Sequence, residues 1–265
     1  MSADAYVVFL AFGRAHLDGG LRVVEELVAR LLPGWRQHTV IVDNALAGDV
    51  EIELMNGRVY LSGDNSSREF SGWDRGLAWL RAAYRPNPDA VVLLANDTFH
   101  RPDKQRHFDA FTPERTSAAL ASGALVGYVD AYPKPIELFG VKLRQWIDTS
   151  LLFGAERTFA RLGRLAAPFS DDDVFADDHH ALFRAPSPLS ENYRAYLRAW
   201  LFGDGRPDEF AEAWYGQQPL TAENFASFKG KLRAIFCEHL LSGRALADGI
   251  PIVDVRATPL VIERY

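Results

Sequence analysis

The chain has 265 residues, 48% of them hydrophobic and 24% charged, enough for one large α/β domain or a domain with an appendage. A net charge of −6 argues against a general nucleic-acid binder, while leaving a local basic pocket open. No apolar run approaches the length of a membrane span.

The segment Met1-Ser-Ala-Asp-Ala-Tyr6 leads straight into a strand-like run, so no signal peptide is expected and the default location is cytoplasmic. Peripheral contact with a membrane complex is compatible with this composition. The single cysteine, Cys237, has no internal partner for a disulfide, and its neighbours Ile235 and Phe236 point to a core thiol.

Tyr6 to Phe12 reads as a first buried strand, with Gly13-Arg14 at its carboxyl end. Asp18, or Gly19 and Gly20, opens a helix whose apolar stripe is Leu21, Val24, Leu27, Val28 and Leu31, and Pro33-Gly34 stops it. Thr39 to Val42 is a second strand, ending in Asp43-Asn44. Glu51–Leu54 and Val59–Leu61 flank Met55-Asn56-Gly57 and suggest a hairpin with an Asn-Gly turn. A long polar loop is expected from Gly63 to Asp74, then a helix to about Tyr84 with Leu77, Leu80 and Tyr84 on one face.

Val91-Val-Leu-Leu-Ala-Asn-Asp-Thr-Phe-His100 is the most distinctive stretch. Its aliphatic run has no alternation, so it reads as a strand buried on both faces. It ends abruptly in an amide, a carboxylate and a hydroxyl: Asn96, Asp97 and Thr98. Thr112-Pro113-Glu114 is a helix start with cap, proline and early acid. Leu125 to Tyr128 is a further strand ending near Asp130, and Thr149 to Phe153 reads as a strand pairing at the sheet edge. Ser170 to His180 is dense in acids and imidazoles. Beyond Ser190 the chain turns helical: Asn192–Phe202, then Phe210–Tyr215, then Ala222–Leu241 with Phe225, Phe228, Leu232, Ile235, Phe236 and Leu240 at helical spacing. Ile250–Val255 and Leu260–Ile262 are extended. Strands alternating with helices predict a mainly parallel sheet with right-handed crossovers.

Gly13-Arg14, Asp43-Asn44 and Asn96-Asp97-Thr98 each follow an early strand, and the loop from Asn65 to Asp74 joins them at one edge. Ligands of open α/β sheets sit beyond the carboxyl ends of the strands, so these residues predict a nucleotide crevice. A carboxylate there accepts from a base or ribose hydroxyl, and Arg14 or Arg68 pairs with phosphate. The bland alternative is that each polar residue merely ends a strand. No Gly-x-Gly-x-x-Gly follows the first strand, no P-loop occurs, and no Gly-x-Ser-x-Gly elbow exists. His179-His180 beside Asp177-Asp178 offers metal-binding side chains or simply a solvated acidic loop. Trp146, Trp200 and Trp214 read as core rather than sugar platforms. Glu238 and His239 lie near the cleft or on a solvated flank.

The strand end at Asp43-Asn44, the run Asn65-Ser66-Ser67-Arg68-Glu69-Phe70-Ser71-Gly72-Trp73-Asp74, and Asn96-Asp97 closing a buried strand together resemble the GT-A glycosyltransferases. The closest in flavour are the family-2-like and rhamnan-synthesis-like enzymes of bacterial surface polysaccharides. The match covers about the first 100 residues, and more loosely extends to Phe153-Gly154. The family's Asp-x-Asp is represented here by Ala95-Asn96-Asp97, with one carboxylate, and the loop is about one residue longer than usual.

The resemblance implies a single GT-A-like domain, with a nucleotide-sugar core over 1–155 and an acceptor-side, helical portion over 156–265. It places Phe12, Arg14, Asp43, Asn44, Asn65, Arg68, Gly72, Trp73, Asn96 and Asp97 around a nucleotide diphosphate sugar. It also implies a divalent Mn or Mg ion at Asp97 and a glycan or lipid-linked glycan acceptor. Asp130, Asp177 and Asp178 are the candidate bases for deprotonating the acceptor hydroxyl. Two alternatives stay open: a catalytically silent binding module of the same fold, and another α/β nucleotide-processing enzyme.

Overall fold

A computed structural model describes residues 3–54, 58–204 and 214–256. The first half alternates strand and helix: β1 (Asp4–Ala11), α1 (Leu17–Leu31), β2 (Arg36–Asp43), β3 (Glu51–Glu53), β4 (Arg58–Ser62), α2 (Glu69–Tyr84) and β5 (Val91–Asn96). A 3-10 turn (Asp97–His100), α3 (Pro102–Gln105) and α4 (Pro113–Ala121) follow. Then come β6 (Leu125–Leu138), β7 (Val141–Ala155), α5 (Glu156–Leu162), α6 (Glu191–Phe202), α7 (Phe225–Ala247) and β8 (Ile252–Asp254).

The described strands form one sheet in the order β3-β4-β2-β1-β5-β7-β6-β8. β1 pairs in parallel with β2 and β5, and β2 with β4. The antiparallel members are β3 on β4, and β7 between β5 and β6. This is a mixed, mostly parallel α/β sheet of Rossmann-like order. Counting only β1, β2, β4 and β5, the order is third, second, first, fourth, so it reverses between β1 and β5.

Alternation along the strands divides the core between the two faces. Tyr6, Val8 and Leu10 of β1 pack with Trp73 and Leu77 of α2 and with Phe228, Leu232 and Phe236 of α7. Ala5, Val7 and Phe9 pack with Leu21, Val24 and Val28 of α1 and with Ala119 of α4. β5 is buried throughout because both layers cover it. α2 lies close on β1, since a Cβ at Gly76 would approach Val8 Cγ1 to 2.3 Å.

Several boundaries differ from the sequence expectation. α2 begins at Glu69, so the second half of the expected polar loop is its first two turns. Phe70, Trp73, Leu77 and Leu80 recur at spacings of three and four and bury one stripe of it. α1 starts at Leu17, one residue before Asp18. The strand expected over Leu125–Tyr128 continues to Leu138. Thr149–Phe153 is not an edge strand; it belongs to a 15-residue β7 lying between β5 and β6. Its residues from Thr149 to Ala155 are all buried, which an edge position would not achieve. α7 spans Phe225–Ala247 rather than Ala222–Leu241. β3 and β4 pair antiparallel as expected, while Asn56-Gly57 between them, most of Phe210–Tyr215 and the whole of Leu260–Ile262 lie outside the described residues. Trp214 and Tyr215, which are described, are not helical.

Candidate functional site

The reversal between β1 and β5 leaves their carboxyl ends side by side, and the polar residues there hold one another. Asp97 Oδ2 accepts the Phe12 N–H at 3.0 Å, tying the two strand ends across the switch point. Phe12 itself is 58% exposed, an aromatic side chain left in solvent beside the strand ends. Gly13 follows with φ +75°, a left-handed conformation that favours glycine. That turn aims the Gly13 N–H at Asp43 Oδ1, 2.8 Å away.

Asp43 is buried at the end of β2 and fully engaged. Its Oδ1 also accepts the Ala45 N–H at 2.9 Å, and its Oδ2 accepts the Tyr60 hydroxyl at 2.5 Å. Burial and the Asp43 carboxylate push the Tyr60 hydroxyl up to about 12. Asn44 Nδ2 donates to the Arg68 carbonyl at 2.9 Å and to Asn65 Oδ1 at 3.3 Å. Its Oδ1 is buried without a partner. Asn65 and Arg68 both have positive φ, 54° and 52°, so this loop is held in an uncommon backbone shape beside the strand ends.

Asn96 turns the other way. Its Oδ1 accepts the N–H and hydroxyl of Thr98, capping the 3-10 turn, and its Nδ2 donates to the Thr149 carbonyl at 3.2 Å. This links the end of β5 to a second polar group, a basin between β7 and α7. There Lys104 Nζ, delivered by α3, donates to Asp148 Oδ2 at 2.6 Å. Asp148 Oδ1 also accepts from the Ser150 N–H and hydroxyl. Glu238 of α7 accepts the Thr149 N–H at 3.1 Å and its hydroxyl at 2.6 Å.

The charges in this basin are mutually dependent. Burial acts against the Asp148 carboxylate, but Lys104 and the Ser150 hydrogen bonds outweigh it and hold Asp148 below the usual carboxylate range. Lys104 is held above its ordinary value despite burial, by Asp148 and Glu238. Glu238 is pushed up to about 8, by burial first and then by Asp148. Burial also raises Glu69, at the start of α2, which feels Lys231, Arg68 and Asp148. On the outer side, burial raises Asp130, whose carboxylate accepts the Ala131 N–H and feels Asp148, Lys104 and Arg256. Beside it Tyr128 is stacked by His107 at 3.8 Å and covered by the Arg256 guanidinium at 4.8 Å.

The sequence-named residues therefore fall into three groups. Phe12, Asp43, Asn44, Asn65, Asn96 and Asp97 meet at the carboxyl edge. Arg14 is exposed there and its charge is felt at Tyr60, while the Arg68 guanidinium lies against Gly230 of α7. Gly72 and Trp73 serve packing: a Cβ at Gly72 would strike Leu10, and the buried Trp73 indole N–H donates to the Ala95 carbonyl at 3.2 Å. Of the three named carboxylates, Asp130 borders the basin. Asp177 and Asp178 are exposed on a separate loop, where Asp177 pairs with Arg184 and Asp178 accepts the His180 N–H.

Sequence alone does not single out Lys104, Asp148 or Thr149 as site residues, and it leaves Glu238 either near the cleft or on a solvated flank. One signal was available. Ala234-Ile-Phe-Cys237 and Leu240-Leu241 surround Glu238 with apolar residues on more than one helix face, and a glutamate inside such a stretch needs polar partners.

Among the described residues, no group of three His, Cys, Asp or Glu is arranged to hold a metal ion. Asp97 offers one carboxylate, with one oxygen already accepting from Phe12. That donor set fits Mg²⁺ or Mn²⁺ only when phosphate and water complete the shell.

No family model matches the chain, and no curated protein matches it. Among solved structures it is similar to one described as the crystal structure of 4-diphosphocytidyl-2C-methyl-D-erythritol synthase. The identity is 11% and the TM-score 0.36, over 65% of this chain and 83% of that one. So loose a likeness decides nothing about activity, and the α/β assignment rests on this chain's own sheet. No described helix is long and apolar enough to cross a membrane.

Proposed function

We propose that the chain transfers a sugar from a nucleotide diphosphate sugar to a hydroxyl of a glycan or lipid-linked glycan. The observation that supports this best is the pairing of two features. A strand-order reversal is bridged by Asp97 and Phe12, and an adjoining basin of coupled carboxylates connects to it through Asn96 and Thr149. The first suits a nucleotide at a switch point. The second suits proton transfer beside it.

In this reading the Phe12 ring and the Asn44–Asn65–Arg68 loop flank the base and ribose, and Asp97 faces the diphosphate. A divalent ion, when bound at Asp97, supplies positive charge to the leaving diphosphate. The chain's own work is to hold the donor at the strand ends and to accept the proton that the acceptor hydroxyl releases.

One observation favours the silent-module alternative. Asp43, the family-like base-contacting carboxylate, already has both oxygens occupied by Gly13, Ala45 and Tyr60. Calorimetric titration of UDP, GDP and dTDP with Mn²⁺ and then EDTA, on the wild-type protein and Asp97→Asn, separates the two readings. The transferase reading expects one nucleotide to bind, more tightly with metal, and expects Asp97→Asn to remove that enhancement. No binding of any nucleotide in either condition rejects it.

A further inference from the structure

Glu238 and Ser242 lie one turn apart on α7, and both reach β7. Ser242 Oγ accepts the Ile147 N–H at 3.0 Å, and Glu238 Oε2 takes the N–H and hydroxyl of Thr149. The Thr149 carbonyl accepts from Asn96, the residue before Asp97. A short bonded path therefore runs from the donor-side strand end to the Glu238 carboxyl group.

Fastening Thr149 to α7 does not require a carboxylate. A glutamine carbonyl would accept the same two hydrogen bonds without charge. Glu238 instead stands where its ionised form is opposed by Asp148 of β7 and Glu69 of α2, and favoured by Lys104 of α3. The hydroxyls of Tyr132 on β6 and Tyr193 on α6 also feel its charge. Glu238 as a residue is half-buried, at the boundary between α7 and β7. Burial first and then these neighbours push Glu238 up to about 8, and a general base works best when its pKa lies near the operating pH.

We propose that Glu238 is the carboxylate that receives the acceptor proton, with Thr149 fixing its orientation and with Lys104 and Asp148 as positioning residues. The assignment rests on the glycosyl-transfer reading above. In the step, the acceptor oxygen bonds to the anomeric carbon as its proton passes to Glu238. The bond from that carbon to the diphosphate oxygen breaks, and its electron pair leaves with the nucleoside diphosphate. Direct displacement inverts the anomeric configuration.

The test uses the full chain and water as acceptor. Hydrolysis of UDP-glucose, GDP-mannose and dTDP-glucose is followed across pH, alongside calorimetric titration of the nucleoside diphosphates. The wild-type protein is expected to hydrolyse a donor with kcat rising through a limb near pH 8. Glu238→Gln is expected to lower kcat about 100- to 10,000-fold, the range for losing a positioned base, to abolish the limb, and to leave diphosphate affinity within about twofold. Asp148→Asn removes the opposing charge and frees Lys104 for Glu238, so the limb moves to lower pH; this variant decides the matter if Glu238→Gln does not fold.

Retention of kcat and of the limb in Glu238→Gln, or an unmoved limb in Asp148→Asn, overturns the assignment. Loss of the limb in Asp130→Asn instead gives the role to Asp130. Nucleotide binding by wild type without hydrolysis of any donor overturns the role of Glu238 and leaves the binding site standing. Failure of wild type to bind any nucleoside diphosphate removes the transfer reading itself, by a different readout.

Discussion

The carboxyl edge of the parallel strands and the basin beneath α7 are both polar, yet they are built in opposite ways. At the edge, carboxylates meet neutral donors: Asp43 takes two backbone N–H groups and a tyrosine hydroxyl, and Asp97 takes the Phe12 N–H. In the basin, Lys104 donates to Asp148, and burial first and then the Asp148 charge push Glu238 up to about 8. Neutral donors satisfy a charge and leave it fixed. Coupled charges leave a proton that can move. The first arrangement shapes a surface, the second is the proton acceptor in the reading proposed above, and the Asn96 side chain links the two.

The largest effect that tests this contrast should come from the apolar side of α7, which brings Glu238 to β7. Phe228 is 2% exposed in the core shared by α7 and the sheet. Phe228→Ala should cost about 3–5 kcal/mol, the range for emptying a buried aromatic site. Urea unfolding measures it. A loss below about 1 kcal/mol would mean that α7 is not held by this contact, and the basin would lose its roof as a fixed feature.

The second effect is the pH dependence of stability. Glu238 has an ordinary value near 4.5 when exposed and about 8 in the folded chain. The folded state therefore holds more protons than the unfolded state between those values. The stability tied to this proton is full below about pH 4.5 and is lost as pH rises through about 8. Asp148 shifts the opposite way, from 3.8 downward, so its loss of stability falls at more acid pH and does not overlap. Glu238→Gln, neutral at every pH, should flatten the decline by roughly 3 kcal/mol between pH 5 and 9, a few pKa units of linkage reduced for partial exposure. Parallel unfolding curves for wild type and variant across that window would show that Glu238 is ionised throughout and not coupled to its neighbours.

The contrast also explains what the sequence could reveal. The edge was legible because each part is local. A buried aliphatic run, then Asp43-Asn44 or Asn96-Asp97, specifies a strand and its polar end within ten residues. The basin was not, because its contacts span 44 positions from Lys104 to Asp148 and 89 from Thr149 to Glu238. No periodicity links such residues; only the insertion of β7 between β5 and β6 brings them together. The reading of Thr149–Phe153 as an edge strand hid this, since it began after Asp148 and placed the strand away from the end of β5. Asp177 and Asp178 drew notice for the converse reason. Acid density is easy to see in a sequence, but there it marks an exposed loop.

The smallest effect probes the edge itself, at Asp43. Removing its carboxylate by Asp43→Ala leaves the Gly13 and Ala45 N–H groups and the Tyr60 hydroxyl without their acceptor. The cost should be about 1–3 kcal/mol, the range for stranded buried donors. Asp43→Asn keeps an acceptor for the two N–H groups and turns its amide toward the Tyr60 oxygen, which accepts as well as donates. It should cost less than about 1 kcal/mol. Nucleotide titration then gives the same pair a second use. A clasp that only shapes the crevice predicts that Asp43→Asn binds nucleotide like the wild-type protein, whereas Asp43→Ala binds more weakly because Gly13 is released. A carboxylate that contacts the base predicts that both variants lose affinity together. Equal losses in a folded Asp43→Asn protein would show that Asp43 serves the ligand directly, and the division between a fixed edge and a reactive basin would have to be redrawn there.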